Sequence, residues 1–408
     1  MRSRSPTRKT ESGGVFFWRI NQAQYSGAGA CAEKIVLSVL EKFGLCRSSE
    51  AAGSRLIWAN CFEPKLWTTA GHCLINHFPR SVELTHKHRL CETLTRCRSR
   101  YLPRSFVLPQ EEALWHQSLQ DMRPGDAGVF GRHWIMKPGR GGGGRGVQVL
   151  SCQSATDIQQ AIAIVKSSSS AKTPVVVSQY VEKPLLINGK KCDLRLYVLV
   201  TSFGRIGAAH EASAPSAGEE GQADAAGDLT AYIFSEGLVR FASEPFAMSC
   251  ESLGNSCIHL TNNEVNARHA HGPCLGNWRL SDLFAWLRAH PEPWMPDSSE
   301  VWHRIRALAW EVLVAARPSI AHATAQQPEA RGQCFELFGF DVLLDEQLQP
   351  WLCEVNGMPS LGVGGKVDLC VDTEMLTAMF ATVLDRVPKD RQEEDAATFE
   401  LLTAPSAT

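Results

Sequence analysis

The sequence predicts a mixed α/β (α+β) fold of two or three lobes, and three observations carry that prediction. Runs of strand length, rich in β-branched and aromatic residues, recur at 175–180, 194–201, 338–344 and 351–355. Apolar stripes at helical spacing lie between them, at 32–43 and at 301–316, where Ile305, Leu308, Val312 and Leu313 share a face. A glycine tract, 139–146, separates two further apolar runs, 134–136 and 147–150, and reads as a loop between strands.

Taken in order, residues 1–14 are polar and basic and predict a disordered tail. An N-terminal lobe over 15–108 holds the first helix and a short strand at 55–59. A central lobe over 109–188 carries the glycine loop. The Asn188-Gly189 turn then opens a C-terminal lobe over 189–387. Residues 208–227 have almost no large apolar side chains and predict a disordered insertion, and residues 388–408 predict a disordered tail.

Composition narrows the functional classes. Of 408 residues 44% are apolar and 21% charged, with a net charge of -2, values of an ordinary soluble protein. No apolar run reaches membrane-spanning length. Fourteen cysteines are scattered without a CxxC pair, which fits a reducing, cytoplasmic setting better than a disulfide framework or a zinc site. The pairs His86/His88 and His269/His271 read as surface histidines. Residues 1–150 hold 22 Lys and Arg against 11 Asp and Glu, a balance that suits an acidic partner. Arg96, Arg98, Arg100 and Arg104 concentrate that charge, either as a docking patch or as a solvated helix face. No nucleic-acid motif accompanies it.

Three constellations carry chemistry. Asp341, Glu354 and Asn356 stand in adjacent apolar strands, with Glu354 and Asn356 on one face by alternation, and three oxygen donors on a rigid sheet suit Mg²⁺. Lys137 ends a strand before the glycine loop, where backbone N–H groups can approach phosphate and Lys137 and Arg145 supply charge. The loop is not a Walker A motif, since no Gly-Lys-Ser/Thr follows. Lys191, Asp193 and Arg195 alternate along one strand face, which is either a solvated edge or the cationic surface that phosphoryl transfer needs.

The segments Trp-Ile-Met-Lys-Pro, Lys-Cys-Asp-Leu-Arg, His-Leu-Thr-Asn and Gly-Phe-Asp followed by Glu-Val-Asn occur in the order found in the tubulin–tyrosine ligase-like family. The resemblance runs from about residue 16 to 384. It implies an ATP-grasp architecture, with ATP and Mg²⁺ held between two α/β lobes behind a small N-terminal lobe. By position it implies that Lys87 and Lys137 contact phosphates, with Gly144, Arg145 and Gly146 looping over them. Ser178, Gln179, Tyr180 and Val181 would line the adenine with backbone groups, and Lys191 and Asp193 would complete the nucleotide site. Arg195 and Arg240 would face the transferring phosphate and a carboxylate, while Thr261 and Asn262 would close the site. Asp341, Glu354 and Asn356 match the metal ligands, with Glu354 also counted among the catalytic groups.

The implied activity is ligation of a free amino acid to the acidic C-terminal tails of tubulin. The segments look closest to the polyglutamylase branch, so glutamate is the first choice of donor, with glycine and tyrosine as alternatives. Cytoplasm and cytoskeleton follow, with cilium or basal body as further settings. The chain departs from the family pattern at Gly141, Cys192, Asn263, Ala267 and Gly357-Met358. Those changes leave open a tubulin-binding pseudoligase without catalysis; an ATP-grasp ligase for small molecules is a third reading.

Overall fold

The computed structural model describes residues 13–18, 28–51, 53–60, 72–121, 130–204, 229–269, 276–327, 332–362, 365–386 and 397–405. Among these the chain order is β1 (Gly13–Trp18), α1 (Ala28–Lys42), β2 (Leu45–Arg47), β3 (Ser54–Ala59), β4 (Leu74–Ile75), α2 (Val82–Thr85), α3 (Lys87–Arg96), β5 (Ser105–Leu108) and α4 (Glu112–Asp121). There follow β6 (Phe130–Pro138), β7 (Gln148–Ser151), α5 (Ala155–Ser168), β8 (Val175–Val181), β9 (Leu186–Ile187), β10 (Lys190–Phe203) and β11 (Leu229–Phe241). The remainder is α6 (Ser256–His259), α7 (Asn263–His269), β12 (Trp278–Arg279), α8 (Leu280–Ala289), α9 (Ser298–Ala325), β13 (Glu336–Leu344), β14 (Pro350–Gly357), α10 (Lys366–Leu384) and β15 (Phe399–Leu401).

Three sheets result. The first, in order β2-β1-β3-β4, is parallel; the second, β5-β8-β6-β7, is antiparallel. The third, β12-β11-β10-β13-β14, is antiparallel and gains β9 on β10 and β15 on β11. Strand alternation sorts its two faces. Leu194, Leu196, Val198 and Val200 of β10 join Phe340 and Val342 of β13 in a core covered by α8 and α9. Tyr197 and Leu199 point the other way, into a core that α10 shares with α1 and the first sheet. No helix among the described residues is long and apolar enough to cross a membrane.

Several boundaries move. β5 pairs with β8, so Ser105–Leu108 belongs to the central sheet and not to the N-terminal lobe drawn through residue 108. β1 begins at Gly13, inside the span assigned to the basic tail; the rest of that tail, 1–12, and the insertion 208–227 lie outside the described residues. Nor is 388–408 wholly a disordered tail. β15 pairs with β11, Leu402 is buried, Phe399 packs on Phe234, and Glu400 is held by Trp302 and Arg306. That short Phe-Glu-Leu triplet finds its partner across more than 150 residues, a contact without local signature. α9 also runs on past Arg317-Pro318, because Ile320 and Ala321 remain buried against the sheet and packing outweighs the missing N–H.

Candidate active site

The site grows from strand parity. Lys191, Asp193 and Arg195 share one face of β10, and each is less than 10% exposed. β10 lies inside the sheet with β11 and β13 on either side, so this face is no solvated edge. Register then sets Asp193 opposite Arg240, Arg195 opposite Asp341, Asp341 opposite Glu354, and Gly339 opposite Asn356. Directly opposed side chains in antiparallel strands share a face. One ionic row therefore crosses four strands.

The contacts along that row are close. Arg195 Nε donates to Asp341 Oδ1 at 2.6 Å and its Nη2 to Oδ2 at 3.2 Å. Arg240 Nε and Nη2 donate to the two oxygens of Asp193 at 2.8 and 2.6 Å, and Nη2 also lies 3.0 Å from Asp341 Oδ2. Gly339 makes room for this, since a Cβ there would stand 3.2 Å from Arg195 Cδ and 2.9 Å from Pro359 Cβ. Asn356 Nδ2 reaches Asp341 Oδ2 at 3.3 Å and Glu354 Oε1 at 3.4 Å, so the three predicted metal ligands converge on one amide.

Burial and charge oppose each other here. Burial alone would raise the Asp341 carboxyl, but the Arg195 and Arg240 guanidiniums reverse that and hold it well below the usual carboxylate range. Burial would likewise lower Arg240, and Asp193 and Asp341 lift it above its ordinary value. Lys191 is the contrasting member, with burial bringing its ammonium down to about 8. Its Nζ donates to Tyr180 Oη at 2.9 Å and to the His259 carbonyl at 3.1 Å, and Tyr180 Oη lies 2.9 Å from His259 Nδ1. Burial, with Lys191 nearby, lowers His259 to about 4, so the imidazole is neutral at physiological pH.

The glycine loop roofs this row. Gly143 and Gly144 both take positive φ, and a Cβ on Gly144 would stand 2.7 Å from Val265 Cγ2 and 3.2 Å from Leu260 Cδ1. The loop thus lies against α7 and the turn before it. From the other side Lys87, at the start of α3, bridges Glu354 at 2.7 Å and the Gly141 carbonyl at 2.8 Å. Lys137 Nζ donates to the Cys353 carbonyl at 3.2 Å. The β13–β14 register shifts between Asp341 and Val342, leaving Cys353 as the extra residue, and this bulge lets both Cys353 and Glu354 line the cavity beneath.

That inner cavity, about 80 Å³, brings together Lys87, Lys137, Gly144, Arg145, Lys191, Asp193, Thr261, Asn262, Asp341 and Glu354. An adjoining cavity of about 70 Å³ shares Lys87, Ile135, Lys137 and Lys191 with it and is lined by Ser178, Gln179, Tyr180 and Val181 of β8. Arg195, Arg240 and Asn356 belong to the row but line neither cavity. Gly146 faces a different one, of about 660 Å³, at the loop base beside Arg140 and Lys172. Volume favours that larger space, yet among the described residues no carboxylate lines it, so the chemistry belongs to the ionic row. The sequence reading missed the Tyr180 hydroxyl and His259, as well as Ile135, Leu343 and Cys353. The parity of β6 could have found Ile135, two residues before Lys137, whereas the bulge that turns Cys353 inward has no sequence signal. His86, expected at the surface, is half-buried and stacked on His88, and burial brings it down to about 4.

The chain matches the family model described as the tubulin-tyrosine ligase family over residues 66–207 and 224–395. It is 30% identical to human tubulin monoglutamylase TTLL4 over 339 residues, covering 78% of this chain and 24% of that protein. It is 32% identical to human tubulin polyglutamylase TTLL5 over 326 residues, 76% of this chain and 22% of that protein. Identity to human probable tubulin polyglutamylase TTLL2 is 32% over 323 residues, 74% of this chain and 45% of that protein. The chain thus spans less than half the length of these relatives. With the family match extending over most of its length, through β10, β11, β13 and β14 and the ionic row they build, this chain belongs to the tubulin-tyrosine ligase family.

Proposed function

We propose that this chain is an ATP- and Mg²⁺-dependent ligase of ATP-grasp architecture that joins a free amino acid, glutamate first among the candidates, to the acidic C-terminal tails of tubulin. The observation that carries the reading is the ionic row itself, in which cations and carboxylates are paired by strand register beneath a glycine loop. The relatives named as tubulin glutamylases direct it toward tubulin and glutamate. Exposed Arg96, Arg98, Arg100 and Arg104 favour an acidic partner. Placement among cytoskeletal filaments, with cilium or basal body included, belongs to the same proposal.

The donor set suits the metal. Asp341, Glu354 and Asn356 offer hard oxygen ligands, and their side chains converge within 3.4 Å of one amide nitrogen, so they fit Mg²⁺. When bound there, the ion would neutralise charge on the phosphates. Nucleotide entry requires Lys87 to exchange Glu354 and the Gly141 carbonyl for phosphate and the glycine loop to lift, because the inner cavity of about 80 Å³ is smaller than a nucleotide. Lys137 and Arg145 then meet phosphate oxygens, and Ser178 to Val181 bound the base.

A carboxylate is a poor electrophile. In the proposed sequence an oxygen of the acceptor carboxylate attacks the γ-phosphorus of ATP, the bond to ADP breaks, and an acyl phosphate forms. The donor, as the free amine, then attacks the acyl carbon, phosphate leaves, and the proton released from nitrogen goes to the departing phosphate. Arg195 and Arg240 are fixed by Asp341 and Asp193, so they oppose developing negative charge without reorganising. Incubating the chain with purified tubulin, ATP, Mg²⁺ and each labelled amino acid tests the reading. Incorporation of label supports it; nucleotide binding without incorporation would instead favour the pseudoligase, to which the altered Gly141, Asn263 and Ala267 point. The side chain of Ala267 lies outside the described residues.

A further inference from the structure

The ionic row does not end at Arg240. Pairing of Leu238 with Arg279 and Val239 with Trp278, continued by one residue, sets Asn277 opposite Arg240 on the edge of the sheet. Asn277 Nδ2 donates to both oxygens of Asp368, at 2.9 and 3.1 Å, and Asn263 Nδ2 adds a contact at 3.3 Å. Asp368 stands in the first turn of α10 and is 3% exposed. It is therefore the outermost station of a row whose other end is Glu354 and Lys87.

Charge along the row is uneven. Arg195 and Arg240 face Asp193 and Asp341, two guanidiniums against two carboxylates. Asp368 comes in addition, and its hydrogen bonds here are to neutral amides. A buried carboxylate whose direct partners are neutral is costly, and burial raises its pKa against the opposing pull of those amides and of the more distant Arg240. One turn along, Asp372 adds a second carboxylate, already engaged by the Tyr197 hydroxyl and the Gly362 N–H at 2.6 Å each. This end of the row offers carboxylate oxygens to a cationic group.

We propose that Asp368 receives the ammonium group of the incoming amino acid, and so positions beyond Arg240 the nitrogen that becomes the nucleophile once it has released a proton to solvent, an inference that rests on the ligase reading above. The row then sorts its ligands by charge. Phosphates and their metal gather at the lysine end, the transferring group lies over the two arginines, and the ammonium of the donor is drawn to Asp368. Asn263, one of the residues at which this chain departs from the family pattern, is one of the two amides that orient the carboxylate.

Calorimetric titration of the full chain, loaded with Mg²⁺ and a non-hydrolysable ATP analogue, tests this with glutamate, glycine and tyrosine, each beside its N-acetyl derivative. The free amino acid that binds should lose about 10- to 100-fold in affinity on N-acetylation, the worth of a charge-assisted hydrogen bond. Asp368→Asn, nearly isosteric, should weaken the free amino acid by a similar factor, abolish the difference from the N-acetyl form and leave affinity for the ATP analogue unchanged. Asp368→Glu should restore part of the discrimination. An Asp368→Asn protein that still distinguishes free from acetylated donor as the parent does overturns the assignment while leaving the ligase reading intact. If the nucleotide-loaded parent binds none of the three amino acids, the ligase reading falls and this inference with it.

Discussion

The two ends of one sheet face treat buried carboxylates in opposite ways. At the cavity end Asp341 lies against two guanidiniums and stays ionised far below the usual range. At the α10 end Asp372 is equally buried but is held by a phenol hydroxyl and a backbone N–H, and burial lifts its carboxyl to about 6. Both are less than 3% exposed, so burial does not separate them. The difference is the neighbouring cation. A buried carboxylate with a guanidinium can serve as a fixed charge, whereas one without it prefers its proton or a cationic ligand.

The largest expected effect comes from removing one charge at the balanced end. Glu354→Gln keeps the shape of a side chain that meets Lys87 at 2.7 Å and lies within 3.4 Å of Asn356, but takes away its charge. Ligation should fall by at least ~100-fold, about 3 kcal/mol of transition-state stabilisation, and Mg·ATP should bind more weakly. Label incorporation into tubulin, measured beside nucleotide affinity, checks it. Undiminished turnover would remove Glu354 from the proposed site and would make the charge balance of that end irrelevant to the chemistry.

A smaller effect should come from the unbalanced end, and its sign is fixed by linkage. The Asp372 carboxyl is raised from an ordinary value near 4 to about 6 in the folded protein. Between those values the folded chain keeps a proton that the unfolded chain has released, so stability falls as pH rises through that window. Asp372→Asn removes the ionisation. Relative to the parent, the variant should gain roughly 2 to 3 kcal/mol between pH 4 and pH 7, seen in denaturant unfolding at each pH. Loss of the bond from Gly362 N–H shifts the whole comparison by a constant but leaves the slope. Equal slopes for parent and variant would show that Asp372 does not carry the cost, and the contrast between the two ends would collapse.

The balanced end was largely legible in the sequence and the other end was not, for physical reasons. Period-two alternation alone aligns Lys191, Asp193 and Arg195, and the apolar strands around Asp341, Glu354 and Asn356 leave their polar groups conspicuous. What alternation does not provide is register. That Arg240 faces Asp193, or that Arg195 faces Asp341 across 146 positions, follows only once strands are paired. Asp368 and Asp372 sit in a helix among Val371, Met375 and Leu376, where an acidic residue reads as the polar face, yet both are buried. β15 was missed for the same reason as Asp368, since its partner is remote in the chain.

The smallest expected effect concerns the roof, the one part of the cavity end built from backbone and not from charge. Gly144 has φ +69°, and a Cβ there would lie 2.7 Å from Val265 and 3.2 Å from Leu260. Alanine at this position faces a left-handed backbone, costing about 1 kcal/mol, together with a clash that pushes the loop off α7. Gly142, two residues earlier, has ordinary φ, and no atom of the described residues lies within 4 Å of its Cβ position. If the loop closes over phosphates, Gly144→Ala should raise the KM for ATP about 5- to 10-fold, while Gly142→Ala should stay within twofold of the parent. Both variants keep every charged side chain of the row, so kcat should change less than KM in each. Equal KM values for the two alanine variants would mean that the loop's fit against Val265 and Leu260 does not matter for nucleotide binding. The roof would then be a connector, and recognition of phosphate would fall to Lys87, Lys137 and Arg145 alone.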